Sequence, residues 1–197
     1  MLQFFGLLSG FFAIASIFPY IRDILKHKTK PHRVSWLIFT ILGSISFFSQ
    51  LAKGATYSDI FPGILSINVC IIFLLSLTYG VGGVTKKDYL VMITVALALV
   101  AWYFTKEPAI ALYIVILIDA IGVYLTLEKV YKHPETETAS LWLMSSLAGL
   151  FSLLAVGKSD IILISYPLFI FFADGSIALT AFIRKKENNQ SRLRKYR

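Results

Sequence analysis

Two aspartates and one asparagine are the residues of this chain whose type and placement point most directly to chemistry. Asp119, Asp174 and Asn68 each lie inside a long apolar run, near its middle or just past it. An acid at the centre of a membrane helix costs about 2.5–3.5 kcal/mol, so acids are kept there mainly when they face a polar interior and have a function. The sequence therefore predicts a site made of these three residues, which bind a substrate or carry a proton.

The roles of the three residues are open at this level. Two acids that face one cavity of low polarity are expected to exchange protons near neutral pH, which suits proton coupling. Alternatively, the carboxylates are fixed acceptors for hydroxyl or ammonium groups of a substrate, or they only connect helices through Ser, Thr or Tyr partners. For Asn68 the structural alternative is a hydrogen bond between helices, because an amide costs less to bury than an acid.

The composition indicates the elements that hold these residues. Of 197 residues, 57% are hydrophobic and 15% are charged, whereas an ordinary soluble domain has roughly 25% charged residues. Uncharged runs of about 20 residues, the length that crosses a ~30 Å hydrocarbon core, predict membrane helices, and they lack the two-residue alternation of barrel strands. The expected fold is an all-α membrane protein with seven transmembrane helices, at 4–21, 34–52, 60–79, 89–104, 109–127, 140–156 and 161–183.

Several function classes are excluded or disfavoured by the same counts. Seven spans leave no room for a soluble catalytic domain, so we expect no enzyme of that kind. The single Cys70 cannot form a disulfide framework or a cysteine-based metal site. We therefore expect no metal and no cofactor. The net charge of +8 does not predict a nucleic-acid partner, because the basic residues are distributed over loops next to membrane ends.

The basic residues predict an orientation. The first, third and fifth loops and the C-terminal segment lie on one side of the membrane and hold 16 of the 19 Lys and Arg residues. The loops on the opposite side hold only Lys53, Lys106 and Lys158. Because short cytoplasmic loops carry the excess of basic residues, the amino terminus is expected outside and the carboxyl terminus inside. The basic tail, 184–197, is expected to contact anionic lipid headgroups, with a solvated, disordered tail as the alternative.

An internal repeat divides the chain. A shift of 106 residues without a gap aligns Lys26-His27 with Lys132-His133 and Trp36-Leu37 with Trp142-Leu143. The same shift places Asn68 on Asp174, so the first three helices correspond to the last three and the fourth stands between them. The sequence thus predicts two parallel triple-helix bundles, 1–80 and 108–183, joined by a linker helix at 81–107 and followed by the tail.

Residues around the first loop resemble a known family. The segment 19–36, PYIRDILKHKTKPHRVSW, together with Lys53-Gly54, resembles the PQ-loop and SWEET transporter superfamily, in which a Pro-Gln pair near the cytoplasmic end of the first helix precedes a basic loop. The resemblance implies alternating access with a substrate site between the bundles. It also implies a prokaryotic member in the cytoplasmic membrane that carries a sugar, an amino acid or a vitamin.

The chain departs from that family pattern at informative positions. Pro19-Tyr20 stands where the family has Pro-Gln, and the equivalent place in the second repeat is Leu125-Thr126. SWEET-type sugar carriers have paired asparagines on helices 3 and 7, whereas this chain has Asp174 opposite Asn68. The departure favours a cystinosin-like, acid-bearing and proton-coupled variant over a sugar carrier.

Prolines and aromatic residues complete the predicted site. The prolines of three spans are expected to remove a backbone hydrogen bond and act as hinges, or else to form static kinks. A tryptophan begins helix 2 and its equivalent begins helix 6, where they form part of an aromatic belt or, alternatively, a cytoplasmic gate. These predicted hinge and gate residues are Pro19, Tyr20, Pro62, Pro167, Trp36 and Trp142.

The sequence thus predicts a small-solute transporter, possibly proton-coupled, with two alternatives. One is a receptor or interaction protein on the same fold, similar to KDEL receptors. The other, more remote, is an intramembrane aspartyl protease, which needs two facing aspartates but whose signatures the flanks of Asp119 and Asp174 do not resemble. The expected partners are a small solute and the lipid bilayer, and a homo-oligomer is left open.

Overall fold

The computed structural model describes residues 1–29, 31, 33–80, 86–105 and 107–195. Lys30 and His32 of the first loop, 81–85 and Lys106 of the predicted linker, and the last two residues of the tail lie outside the described residues. The described part is all-helical and contains no strand. It contains two short 3₁₀ helices, Tyr57–Asp59 and Pro134–Thr136, and seven α-helices, α1 Leu2–Leu25, α2 Arg33–Ala52, α3 Ile60–Tyr79, α4 Lys86–Thr105, α5 Pro108–Lys132, α6 Ala139–Leu154 and α7 Ile161–Lys195.

Four of the described helical segments are long and apolar enough to cross a membrane by length and composition: Leu2–Leu25, Tyr57–Tyr79, Ala109–Lys132 and Ile161–Asn188. The side chains of α1 have the distribution expected in lipid, because one face carries large exposed apolar residues and small residues pack inward. Phe4, Phe11 and Phe18 are 63–64% exposed, whereas Ser9 and Ala13 are at most 1% exposed. Small residues on the inner face let neighbouring backbones approach closely. These features indicate an integral membrane protein.

Six helices pack in a ring. Within the first triplet, α1–α3, helix α3 lies between α1 and α2, and within the second triplet, α5–α7, helix α7 lies between α5 and α6. The triplets meet along two seams, α1 against α6 and α2 against α5. When α1, α2 and α3 are exchanged with α5, α6 and α7, the contact of α1 with α6 becomes the contact of α5 with α2. The ring is therefore symmetric under the internal repeat. Helix α4 lies outside the ring, against α5 and α2.

The ring of helices has two ends, at which the helix termini and the connecting loops lie. We call the end that holds 53–59, 107–110 and 155–161 the lysine-poor end, and there Ser152 Oγ donates a hydrogen bond to the Ser58 carbonyl at 2.7 Å. We call the end that holds 22–29, 129–138 and 184–188 the basic end. There Thr138 Oγ1 donates to Asp23 Oδ2 at 3.0 Å. Arg33 donates from Nε to the Ser76 carbonyl in the last turn of α3 at 3.1 Å and from Nη2 to the carbonyl of Gly80, which follows α3, at 3.0 Å. The loops therefore alternate between the two ends.

Helix α7 is longer than predicted. The hydropathy pattern predicts that the last span ends at residue 183 and that 184–197 form a separate tail, but α7 continues to Lys195. The added segment contains neither proline nor glycine, and Arg184 Nη1 pairs with Glu187 Oε2 at 2.6 Å one turn later, which supports a helix. Its first residues dock on the basic end, where Lys185 Nζ donates to the Glu137 carbonyl at 2.8 Å.

Pro62 does not interrupt a helix. It is the third residue of α3, in the first turn, where a backbone N–H has no intrahelical acceptor in any case. The expectation that Pro62, within its helix, removes one of the backbone hydrogen bonds was therefore wrong. Pro19 and Pro167 lie inside α1 and α7, where each lacks the N–H that a helix interior uses.

Candidate functional site

A cavity of about 110 Å³ lies between the two triplets. All six helices of the ring contribute to its wall, and no described residue of α4 does. Most of the lining is apolar, which is usual for small-molecule sites, where a few polar groups fix the orientation of the ligand. The polar side chains in the lining are Ser16, Asn68, Asp119, Thr126, Ser145, Tyr166 and Asp174, and the indoles of Trp36 and Trp142 also line it.

The two predicted acids come together in this cavity. Asp119 on α5 and Asp174 on α7 both line it, and their carboxyl groups are close enough to interact electrostatically. Asp174 is only 6% exposed, and Ser145 of α6 lines the same cavity. Within the second triplet, an acid pair and a hydroxyl thus face one small space.

Asn68 lies in the opposite wall with a different set of contacts. Its Nδ2 donates a hydrogen bond of 2.8 Å to the Ala13 carbonyl, which connects α3 to α1 within the first triplet. It also lines the cavity and is 7% exposed. The amide therefore makes the interhelical contact that the sequence analysis gave as its structural alternative, and it does so at the wall of the cavity.

The two triplets contribute to the cavity from equivalent positions, but the side chains at those positions differ in polarity. Several lining residues pair under the 106-residue shift, among them Trp36 with Trp142 and Asn68 with Asp174. At four positions the second copy is more polar than the first. Ala13 corresponds to Asp119, Phe39 to Ser145, Ile60 to Tyr166 and Asn68 to Asp174. The second triplet therefore supplies most of the polar chemistry.

Four polar residues of the lining were not predicted from the sequence. The hydroxyls of Ser16 and Thr126 bond to carbonyls of their own helices, whereas Tyr166 and Ser145 are free of such bonds in the described hydrogen-bond network and lie beside the acids. Tyr166 is 2% exposed, lines the cavity and is close enough to interact electrostatically with both Asp119 and Asp174. Tyrosine and serine are common in membrane helices, so neither residue is conspicuous by type. The internal repeat could have identified Tyr166 and Ser145, because each of them replaces an apolar residue of the first copy.

The aromatic residues predicted as a gate lie toward the basic end of the cavity. The rings of Tyr20 and Trp36 have centroids 5.4 Å apart, and Trp142 Nε1 donates to Glu137 Oε2 at 3.2 Å. Pro19 precedes the buried Tyr20, and Pro167 follows Tyr166. Both helix-interior prolines therefore adjoin a tyrosine that packs at or near the cavity.

The two ends of the cavity differ in packing. Residues from all six ring helices form one continuous apolar cluster, which lies mainly toward the lysine-poor end and extends along α2 to Val34 near the basic end; it includes Leu42, Phe61, Leu112, Ala148 and Ile170. Toward the basic end, the apolar residues form two smaller clusters, and Trp142 packs against both of them. The lysine-poor end is thus the more continuously packed of the two.

Comparison with known proteins finds no matching family model, no similar curated protein and no similar solved structure. In the described part of the chain, no three His, Cys, Asp or Glu side chains are grouped in a way that could hold a metal ion. The chemistry available in the cavity is therefore that of the carboxyl, amide, hydroxyl and indole groups described above.

Proposed function

We propose that the chain is a small-solute membrane transporter that works by alternating access between two triple-helix bundles. The observation that carries the proposal is a mostly apolar cavity with a few polar side chains, which lies inside a ring of six helices and next to apolar packing drawn from both triplets. Alternating access needs two rigid bodies, a site between them and a seal that can move from one side to the other. The two triplets, the cavity and the lysine-poor cluster supply these parts.

The proposal includes a 3+1+3 arrangement with all seven helices crossing the membrane. Besides the four segments named above, α2 and α6 contain the shorter apolar stretches Trp36–Ala52 and Ala139–Leu154. The 16 residues of α6 extend over about 24 Å at 1.5 Å per residue, so the bilayer must thin locally beside this helix. The six-helix ring supports the arrangement, because α2 and α6 close it and cannot lie outside the membrane while α1, α3, α5 and α7 cross.

The proposed orientation follows the basic residues. The basic end carries most of the Lys and Arg residues and faces the cytoplasm under the positive-inside rule, which places the amino terminus outside. The cavity then adjoins the cytoplasmic tryptophans, Trp36 and Trp142, and the outer side is sealed. The helical extension of α7 carries the basic residues that contact anionic lipid headgroups.

The acid pair supports proton coupling as the driving force. Two carboxyl groups in one small cavity do not both ionise readily, because like charges at short distance repel and burial removes the water that would screen them. Asp119 and Asp174 can thus take up and release one proton between them. The Ser145 hydroxyl and the Asn68 amide can then hold polar groups of the solute.

A binding screen followed by counterflow tests the proposal. The detergent-purified protein is first screened by thermal shift against sugars, amino acids and vitamins at two pH values. A ligand at 100 times its Kd adds ~2.7 kcal/mol to stability. Any ligand found is then tested in proteoliposomes for counterflow, in which unlabelled internal solute drives uptake of labelled solute. Saturable counterflow supports a transporter.

The same experiment separates the alternatives. A ligand that stabilises the protein but gives no counterflow indicates a receptor. An intramembrane aspartyl protease also uses two facing aspartates, so a control reaction with a transmembrane peptide is included. Cleavage that is lost in both Asp119→Asn and Asp174→Asn would indicate the protease, and cleavage without counterflow would contradict transport.

A further inference from the structure

Glu137, which lies between α5 and α6, contacts all three helices of the second triplet. The residue is only 8% exposed, and each of its carboxylate oxygens accepts a hydrogen bond. Lys129 Nζ of α5 donates to Oε1 at 2.7 Å, and Trp142 Nε1 of α6 donates to Oε2 at 3.2 Å. From α7, Lys185 Nζ donates to the Glu137 backbone carbonyl at 2.8 Å. One buried residue therefore joins α5, α6 and α7 at the basic end.

The local sequence places Glu137 at the beginning of α6. Pro134 begins the 3₁₀ helix Pro134–Thr136, after which Glu137 is extended, with φ −121° and ψ 147°. An acid at this place is favoured by the positive end of the helix dipole. Thr138 precedes α6 but does not cap it with its side chain, and its Oγ1 donates instead to Asp23 Oδ2 of α1 at 3.0 Å. The loop is thus attached to the first triplet as well.

The first copy of the repeat holds its tryptophan in a different way. Under the 106-residue shift, Pro31 takes the place of Glu137, and proline offers no carboxylate. Trp36 packs on the ring of Tyr20, with centroids 5.4 Å apart. The carboxylate that holds Trp142 therefore belongs to the second triplet, which also contributes the two acids of the cavity.

Trp142 connects the two apolar clusters of the basic end. One cluster consists mainly of residues of the first triplet, and the other consists of residues of α5, α6 and α7. Trp142 packs against both clusters and also lines the cavity. Because its N–H is engaged by Glu137, the indole presents carbon surface to a solute and no free donor.

A buried carboxylate is a strong anchor for this ring. Hydrogen bonds to an ionised acceptor are roughly twice as strong as bonds between neutral groups. The charge of Glu137 is balanced by the Lys129 ammonium at 2.7 Å, so the carboxylate can stay ionised at this depth. If the indole left, one buried carboxylate oxygen would lose its donor, which is costly. The ring is therefore held firmly as long as Glu137 is in place.

We propose that Glu137 is a positioning residue that holds the Trp142 indole across the basic end of the cavity, and that release of this ring opens the cavity toward that end. Glu137 does not itself line the cavity, so it acts on the cavity through Trp142. The inference rests on the proposed alternating access, and it identifies the side chain that must move when the inner side opens.

Chemical labelling of a cysteine in the cavity tests the proposal without any solute. Ser145 lines the cavity and is 5% exposed, so a thiol at Ser145→Cys reacts only when the cavity opens. The background is Cys70→Ala, and the reagent is methyl methanethiosulfonate, which is small and uncharged. Glu137→Ala should raise the labelling rate at least about fivefold, because the loss of one net hydrogen bond changes the ratio of released to held indole by about that factor.

Two further variants provide a second test of the bond and a control. Trp142→Phe removes the N–H and keeps a ring, so it should also label faster and tests the same bond if Glu137→Ala does not fold. Glu135→Ala is the control, because this acid is 66% exposed in the same loop and pairs with His133 Nδ1 at 3.7 Å. We expect the parental rate in the control. Rates at or below the parental one in both test variants, or an equal rise in Glu135→Ala, would overturn the proposal.

A double variant shows whether Glu137 acts through the ring. Glu137→Ala and Trp142→Phe remove the same bond, so the double variant should label no faster than the faster single variant. An increase equal to the product of the two single increases would contradict the positioning role.

The conservative variant Glu137→Gln keeps an acceptor oxygen for the indole and should label more slowly than Glu137→Ala. Equal rates in these two variants would contradict the bond to the ring as the cause. Faster labelling of Glu137→Ala in a protein without counterflow would keep the role of Glu137 and contradict transport, whereas parental labelling in a protein with counterflow would do the reverse.

Discussion

The tight contact between α6 and α7 gives a quantitative prediction. A Cβ on Gly149 would lie 3.0 Å from the Phe171 nitrogen, 3.1 Å from the Pro167 carbonyl oxygen and 3.2 Å from Ile170 Cγ2. The first two are backbone atoms that cannot rotate away, so Gly149→Ala must push the helices apart. Its equivalent, Gly43, has more room, since a Cβ there would lie 3.4 Å from Val69 Cγ2.

The comparison of the two alanine variants isolates the packing cost. Replacing glycine by alanine inside a helix gains up to about 1 kcal/mol from backbone propensity, and both variants share that gain. Overpacking a tight contact costs about 1–3 kcal/mol, and we expect only Gly149→Ala to show this cost. For a chain of this size the two melting temperatures should differ by about 2–12 °C, with Gly43→Ala the more stable.

Thermal unfolding in detergent, followed by tryptophan fluorescence, measures this difference. Gly43→Ala should melt at or above the parental temperature, and Gly149→Ala below it. Equal melting temperatures for the two variants would refute the close approach of α6 to α7. A lower melting temperature for Gly43→Ala than for Gly149→Ala would also contradict the assigned packing, because it would place the tight seam in the first triplet.

Three further predictions concern the basic end, the orientation and Asn68. Arg33→Ala should lower stability by about 1–3 kcal/mol, because its two hydrogen bonds to carbonyls at the C-terminal end of α3 are lost. Arg33→Lys should recover less than half of the lost stability, since lysine lacks the guanidinium fork. Chemical unfolding measures both variants. A cysteine at Lys28 should react with an impermeant reagent only from the cytoplasm and one at Thr56 only from outside, and the reverse pattern would contradict the orientation. Asn68→Leu should cost about 1 kcal/mol of stability through the lost bond to α1 and should also weaken solute uptake, because the amide that holds the solute is lost; parental uptake in a folded variant would leave Asn68 with the structural role alone.

The positions of the helices follow from the sequence because each apolar run must satisfy its backbone internally in lipid. The end of α7 did not follow, since a hydropathy boundary marks where a helix leaves the apolar region and not where it stops. Pro62 shows a second limit. A proline in an apolar run predicts a broken hydrogen bond, but the 3₁₀ turn at Tyr57–Asp59 places this proline in the first turn of α3, which only the three-dimensional structure reveals.

The site was partly accessible to sequence reasoning. Asp119 and Asp174 are costly in lipid, so their type and depth alone single them out. Tyr166 carries no such cost, and its place beside both acids in the cavity wall is visible only in the fold. The internal repeat gives a sequence signal for it, because Tyr166 stands where the first copy has Ile60. Contacts across the seam between the triplets need the fold.

The measurement that tests the central claim most directly is solute uptake into proteoliposomes with and without a pH gradient, in the parent and in three variants. Asp174→Asn should abolish uptake driven by the gradient and retain counterflow, because the amide keeps hydrogen bonding but cannot ionise. Asp119→Asn should do the same if that residue carries the proton. Asp160→Asn is the control, since this acid lies at the start of α7, where its Oδ1 accepts a hydrogen bond from the Ile162 nitrogen at 2.8 Å, and asparagine also caps helices well. Parental accumulation in both cavity variants would contradict proton coupling through the acid pair, and absence of counterflow in the parent would contradict transport itself.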